Sequence, residues 1–216
     1  MKETGMMFKA PLVCAMLKDL KLTTRRIAKD VKHPDLGNLY SPAQMAMEPQ
    51  HVINRACPYG GPGDRIYVRE TFGYGGDAYT PDIYFRASHP HAPIQGRWYP
   101  AIHMRKADAR LWLEITDVRL ERLHAITDDD CWREGAIAAA RPDKFSVHSV
   151  LGTDGKAYLS PRGAFSSLWE STGASWNANP WVWVLNFHRI KHDLCAQPPA
   201  AEKHKTMNKS AGQAHA

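Results

Sequence analysis

The chain has no run of about 18 apolar residues, so a membrane-spanning helix is not expected. Met1 to Met7 carries Lys2 and Glu3 and lacks a long apolar stretch before a small-residue cleavage site, so a secretory signal is not expected either. A cytoplasmic location is the expectation. Cysteine is scarce: Cys14, Cys57, Cys131 and Cys195 form no CxxC pair, which argues against a zinc ribbon or a disulfide framework and for free thiols in a reducing compartment. GxxxxGK[ST], GxGxxG, HExxH and GxSxG are all missing, which removes support for phosphate-loop, dinucleotide, zincin and nucleophile-elbow chemistry. His89 and His91 flank Pro90, and His188 lies four residues from His192, but neither pair has a third ligand at a sensible spacing. No metal or other cofactor is expected.

What is present is ordinary for a globular protein: 216 residues, 44% hydrophobic and 23% charged. At roughly 150 residues per domain this predicts one domain. We place it at 1–194, with irregular insertions near 33–62 and 138–161 and a disordered basic tail at 195–216. The net charge is +6, and six basic residues between Lys18 and Lys32 stand against Asp19 and Asp30. Such a cluster fits a phosphate-bearing partner as well as a solvated surface.

The pattern predicts a short amphipathic helix over residues 12–20 and one helix near Gln44 to Asn54. Strands are predicted from Arg65 onward after the Gly63-Asp64 turn, at Ile83–Ala87, at Ala109–Leu123 with a break at Asp117, and at Pro180–Ile190. Thr127 followed by three aspartates predicts a helix start, with the helix ending near Glu134 and Gly135. A further helix is expected over Gly163–Ser171. Helices and strands mix without long crossovers, so the expected class is α+β with a curled antiparallel sheet.

Two sites draw attention. Lys21 and Thr24 are three residues apart, and at a helix end they would face the same side. A Lys with its pKa lowered by burial could activate a neighbouring hydroxyl, and Arg25 and Arg26 could hold a phosphate or a base carbonyl. Glu134 is the other: a carboxylate at a helix C-terminus opposes the helix dipole, which asks for a role elsewhere. Seven tryptophans could stack on bases or simply fill the core.

Lys21-Leu22-Thr23-Thr24-Arg25-Arg26 resembles the GxKxxTxR signature of ASCH domains, in the PUA-like superfamily, with Asp19 standing where the family usually has Gly. Pro62-Gly63-Asp64 before Ile66-Tyr67-Val68 is similar to the family's Gly-Asp turn. Leu123 to Gly135, with Ile126-Thr127 and Glu134, resembles its Leu-Thr-led helix, and Asn179 to Phe187 its closing strand. The long excursions, Glu70-Thr71-Phe72 and Ile102-His103-Met104 look like the larger phage- and prophage-encoded branch. The resemblance implies a PUA-like curled β-barrel with flanking helices and a cleft for a nucleotide or nucleic acid. The family includes a small amidohydrolase that removes the acetyl group from N4-acetylcytidine. Its catalytic Lys, Thr and Glu fall on Lys21, Thr24 and Glu134. The expected function is therefore a metal-independent amidohydrolase on an N4-acylated cytosine nucleoside or related base, with Thr24 attacking the carbonyl, Lys21 taking its proton and Glu134 relaying a proton or orienting Lys21. Arg25, Arg26, Arg69, Glu70 and His103 are expected to bind substrate. The alternative is an RNA-binding ASCH module with at most weak ribonuclease activity. The expected partner is a modified nucleoside or RNA, not a membrane.

Overall fold

The computed structural model of the chain describes residues 1–76, 81–138, 148–150, 158 and 160–191. In chain order it contains β1 (Glu3–Met7), α1 (Ala10–Leu17), β2 (Thr23–Ile27), the hairpin β3 (Val31–Lys32) and β4 (Leu39–Tyr40), α2 (Pro42–Met45), α3 (Gln50–Ala56) and β5 (Arg65–Arg69). The hairpin β6 (Phe72–Gly76) and β7 (Pro81–Phe85) follows, then β8 (Trp112–Arg122), α4 (Asp128–Arg133), the pair β9 (Ala136–Ala138) and β10 (His148–Val150), α5 (Pro161–Glu170) and β11 (Trp181–Ile190). Among the described residues no helix is long and apolar enough to cross a membrane. The expected tail and most of the second insertion lie outside the described residues.

The class is α+β, as expected. One five-stranded sheet, in the order β1-β5-β8-β11-β2, organises it. The sheet is mixed, which corrects the wholly antiparallel expectation: β1 runs parallel to β5, pairing Glu3 with Arg65 through Met7 with Arg69. The other pairings are antiparallel. A parallel neighbour needs a crossover, and here it is the long passage through α1, β2 and the 33–62 excursion.

The two longest strands, β8 and β11, pair at the centre. Opposite Asn186 lies Asp117 and opposite Phe187 lies Ile115, so Thr116 is left over as a bulge, one residue from the expected break. The continuous apolar run of β11 has a simple cause: both faces are buried. Trp183, Leu185 and Phe187 join a core with Met16, Ile66, Leu113 and Ile115. Val182 and Val184 join a second core with Leu123, Ile126, Phe165 and Leu168.

The excursion at 33–62 is more ordered than expected. The single helix near Gln44–Asn54 is two, because Pro49 cannot continue α2 and instead opens α3. Ser41 and Gln44 form a reciprocal cap on α2, and Met45, Val52 and Ile53 anchor both helices in the first core. The helix predicted after Thr127 is present as α4: the Thr127 hydroxyl accepts from the Asp130 amide at 3.1 Å.

The two edges of the sheet, β1 and β2, come together without pairing. The Arg26 guanidinium on β2 reaches across, lies 4.9 Å from the Phe8 ring centre and donates through Nη2 to the Met7 carbonyl at 2.9 Å. The sheet is thus curled until one arginine spans its edges, leaving a seam.

Candidate functional site

The seam holds a cavity of about 670 Å³, lined from both edges by Phe8, Lys9, Thr24, Arg25 and Arg26, and from α4 and α5 by Glu134, Phe165 and Trp169. Lys21, expected at a helix end, is instead the residue that leads into edge strand β2. A turn brings it there. Asp19 has φ of 55°, the left-handed conformation that glycine adopts freely and Asp better than most residues. Arg189 holds its carboxylate through two bonds, at 2.9 and 3.0 Å. Asp19→Gly is therefore expected to retain the turn, losing under about 1 kcal/mol, whereas Asp19→Val forces a β-branched residue into that conformation and costs about 2 kcal/mol more. Equal thermal melts for the two variants would refute this account of the turn.

Lys21 then meets the end of α4. Its backbone bridges to Glu134, and the Leu22 amide donates to the Arg133 carbonyl at 2.7 Å. Gly135, at φ of 100°, makes this approach possible: an added Cβ would lie 3.3 Å from Ala15 Cβ and 3.4 Å from Lys21 Cβ.

Four polar side chains are buried together here: Lys21, Thr24, Arg25 and Glu134 are 2%, 4%, 5% and 3% exposed. The Lys21 ammonium donates to Glu134 Oε2 at 2.6 Å, to the Glu134 carbonyl at 2.9 Å and to the Thr23 carbonyl at 2.7 Å, which uses its three protons. Burial pushes the Lys21 ammonium down, Glu134 pulls it back up, and Arg26 and Arg25 push it down again; the net is a lowered pKa. Arg25 donates to Glu134 Oε1 at 3.2 Å and, through Nη2, to Glu121 and Asp130 at 2.9 Å each. Burial would lower the guanidinium pKa, but Glu134, Asp130 and Glu121 outweigh it and raise it. Burial likewise pushes the Asp130 carboxyl up, and Arg25, the Thr127 amide and Arg119 overcome it and hold it low.

The anomaly of a carboxylate at a helix C-terminus is thus resolved by two cations. Glu134 is the C-cap of α4, and Lys21 and Arg25 supply the positive charge that the dipole does not. Thr24 stands apart. Its side chain lines the cavity, and no hydrogen bond to its hydroxyl is made from the described residues, whereas the neighbouring Thr23 hydroxyl donates to Asn186 Oδ1 at 2.8 Å.

The structure thus brings together Lys21, Thr24, Arg25, Arg26 and Glu134. It does not bring Arg69, Glu70 or His103 to the cavity wall. Arg69 donates to the Ile102 carbonyl, and His103 is exposed on a short 3₁₀ turn, Ala101–His103. Glu70, 1% exposed, takes two bonds from Arg110 at 2.9 and 3.1 Å. Arg110 lies 4.2 Å from the Phe85 ring centre. That pair ties β5 to the start of β8. Glu70→Gln is expected to lose about 2 kcal/mol of stability, since it strands a partly buried guanidinium, with ligand binding in the cavity unaltered. A stable variant that no longer binds would return Glu70 to the site.

Sequence reasoning missed the walls. Phe165, Leu168, Trp169 and Thr172 all line the cavity and share the i, i+3, i+4, i+7 spacing that starts on α5, a readable signal. Tyr59 and Lys29, which also line it, sit in irregular chain and gave none. The basic cluster at 18–32 is not one surface: Lys21 and Arg25 are buried against carboxylates, leaving Lys18, Lys29 and Lys32 exposed. Compared with protein-family models, curated proteins and solved structures, the chain gives no match.

Proposed function

We propose that this is an ASCH-type, PUA-like protein whose seam cavity hydrolyses the exocyclic amide of an N4-acylated cytosine or a related modified base. One observation carries the reading: a buried Lys21–Glu134 pair at 2.6 Å lines the same aromatic-walled cavity as Thr24, whose hydroxyl makes no hydrogen bond among the described residues. Two features agree with the family resemblance. The left-handed turn at Asp19 stands where the family has glycine, and the approach of β1 to β2 across Arg26 supports a barrel-like curl.

The chemistry follows from the pair. A buried ammonium–carboxylate contact can shift its proton from Nζ to Oε2, leaving a neutral amine. Lys21 then takes the Thr24 proton as the hydroxyl oxygen attacks the acyl carbon. Collapse of the tetrahedral adduct breaks the C–N bond, and the amine leaving group takes the proton back. Water, deprotonated by the same lysine, cleaves the acyl-threonine ester to the free acid and restores the hydroxyl. Because three bonds already hold Lys21, substrate must displace one of them for this step. Between the two arginines, Arg25 already gives Nη1 and Nη2 to three carboxylates, so Arg26 is the one left to hold substrate.

The test is incubation with N4-acetylcytidine and chromatography for cytidine, with Thr24→Ala as control. Cytidine released by wild type alone supports the reading. The same release by the variant, or none from folded wild type across acylated cytosine substrates, defeats it.

A further inference from the structure

The inner and outer charges of the cavity are treated differently by the fold. Lys21 and Arg25 have carboxylate partners. Lys9, Arg26 and Lys29, which also line the cavity, have none among the described residues: Lys9 donates to the Ser171 carbonyl at 2.8 Å, Arg26 to the Met7 carbonyl at 2.9 Å, and Lys29 is exposed. Glu134 is the one acidic residue in the lining among the described residues. Three donors on lining side chains are buried without a partner, Arg25 Nε, Arg26 Nε and Trp169 Nε1. Buried donors ordinarily find acceptors. Among the described residues the rim therefore offers positive charge and N–H groups and no anion of its own. A neutral nucleoside would use the aromatic walls and the Lys21–Glu134 pair and leave those cations unanswered.

We propose that the ligand carries a phosphate, so that the cavity takes a nucleotide, or a nucleotide unit of RNA, in preference to a free nucleoside, with Lys9, Arg26 and Lys29 holding the phosphate. This rests on the nucleobase reading above for the occupant of the inner cavity. Arg26 is suited to the role because its guanidinium covers Phe8, the residue before Lys9 in the chain, and lines the same cavity.

Calorimetry of the full chain with cytidine, cytidine 5′-monophosphate and a short cytidine-containing oligoribonucleotide tests it without requiring turnover. The monophosphate is expected to bind about ten-fold more tightly than cytidine, and the gap is expected to shrink in high salt and in the Lys9→Ala/Lys29→Ala variant. An oligonucleotide that binds more tightly still, with a steep salt slope, makes RNA the source of the phosphate; one that binds no better than the monophosphate makes it the nucleotide pool. Equal affinity for cytidine and its monophosphate, or a gap that survives in the double variant, overturns the proposal. Deacetylation of N4-acetylcytidine and of its 5′-monophosphate, followed in parallel, separates the two readings. Turnover without phosphate preference removes the phosphate subsite alone, and phosphate preference without turnover removes the hydrolase alone.

Discussion

Glu134→Gln is expected to lower unfolding free energy by about 3–5 kcal/mol and to abolish turnover. Glu134 answers two buried cations at once, Lys21 at 2.6 Å and Arg25 at 3.2 Å. Its loss leaves Lys21 carrying an ammonium in a site that is 2% exposed. The companion experiment is Lys21→Met with Glu134→Gln. Removing both charges together relieves the unpaired ammonium, and Arg25 keeps Asp130 and Glu121, so the double variant is expected to recover to within about 1–2 kcal/mol of wild type while remaining inactive. A double variant as unstable as the single one would show that the pair is not what the fold responds to.

The pH dependence of that loss has a definite sign. Burial lowers the Lys21 pKa below its ordinary value of 10.5, and removing Glu134 lowers it further. Between the folded and unfolded values the unfolded chain binds the extra proton, so stability rises with pH there. The deficit of Glu134→Gln is thus full below the folded pKa of Lys21 and shrinks as pH climbs toward 10.5. Urea unfolding at about pH 7 and about pH 9.5 reads this directly; a deficit that grows with pH would contradict the assignment. Asp130 acts at the other end of the scale. Its carboxyl is held below 3.8, so its contribution is present above that value and is lost as pH falls through the folded one.

Thr24→Ala is expected to reduce kcat/KM by about a thousand-fold or more, with stability within about 1 kcal/mol of wild type. The hydroxyl it removes serves no hydrogen bond among the described residues, and the γ-methyl lost with it is worth about 0.8 kcal/mol of burial. Thr24→Ser keeps the nucleophile and is expected to retain measurable turnover. The contrast with Thr23 is the control: Thr23→Ala removes a buried bond to Asn186 and is expected to cost stability rather than chemistry. If Thr24→Ala melts early and Thr23→Ala loses turnover, the two roles are exchanged and the proposed nucleophile is wrong.

Much of this was legible in the chain, and what was not has identifiable causes. The apolar run of β11, the long alternation of β8 and the cap of α4 follow local rules, and each stands within a few residues of expectation. The Lys21–Arg26 segment defeated those rules. It is a strand, yet its buried side chains are Thr, Thr and Arg, so the usual period of two in hydrophobicity is absent. Burial there is by charge pairing with residues about a hundred positions away, Glu121, Asp130 and Glu134, and no local window contains that information. The parallel partnership of β1 was hidden for a similar reason, since Met6-Met7-Phe8 signals only an apolar stretch.

Arg26 at the seam has one more consequence. Two strand edges with unpaired amides and carbonyls are a standing invitation to pair with another chain. By curling until the edges face one another, with an arginine and Phe8 between them, the sheet turns each into the other's guard. A ligand bound across the seam is therefore expected to cover both edges at once and to lower the tendency to self-associate as it binds.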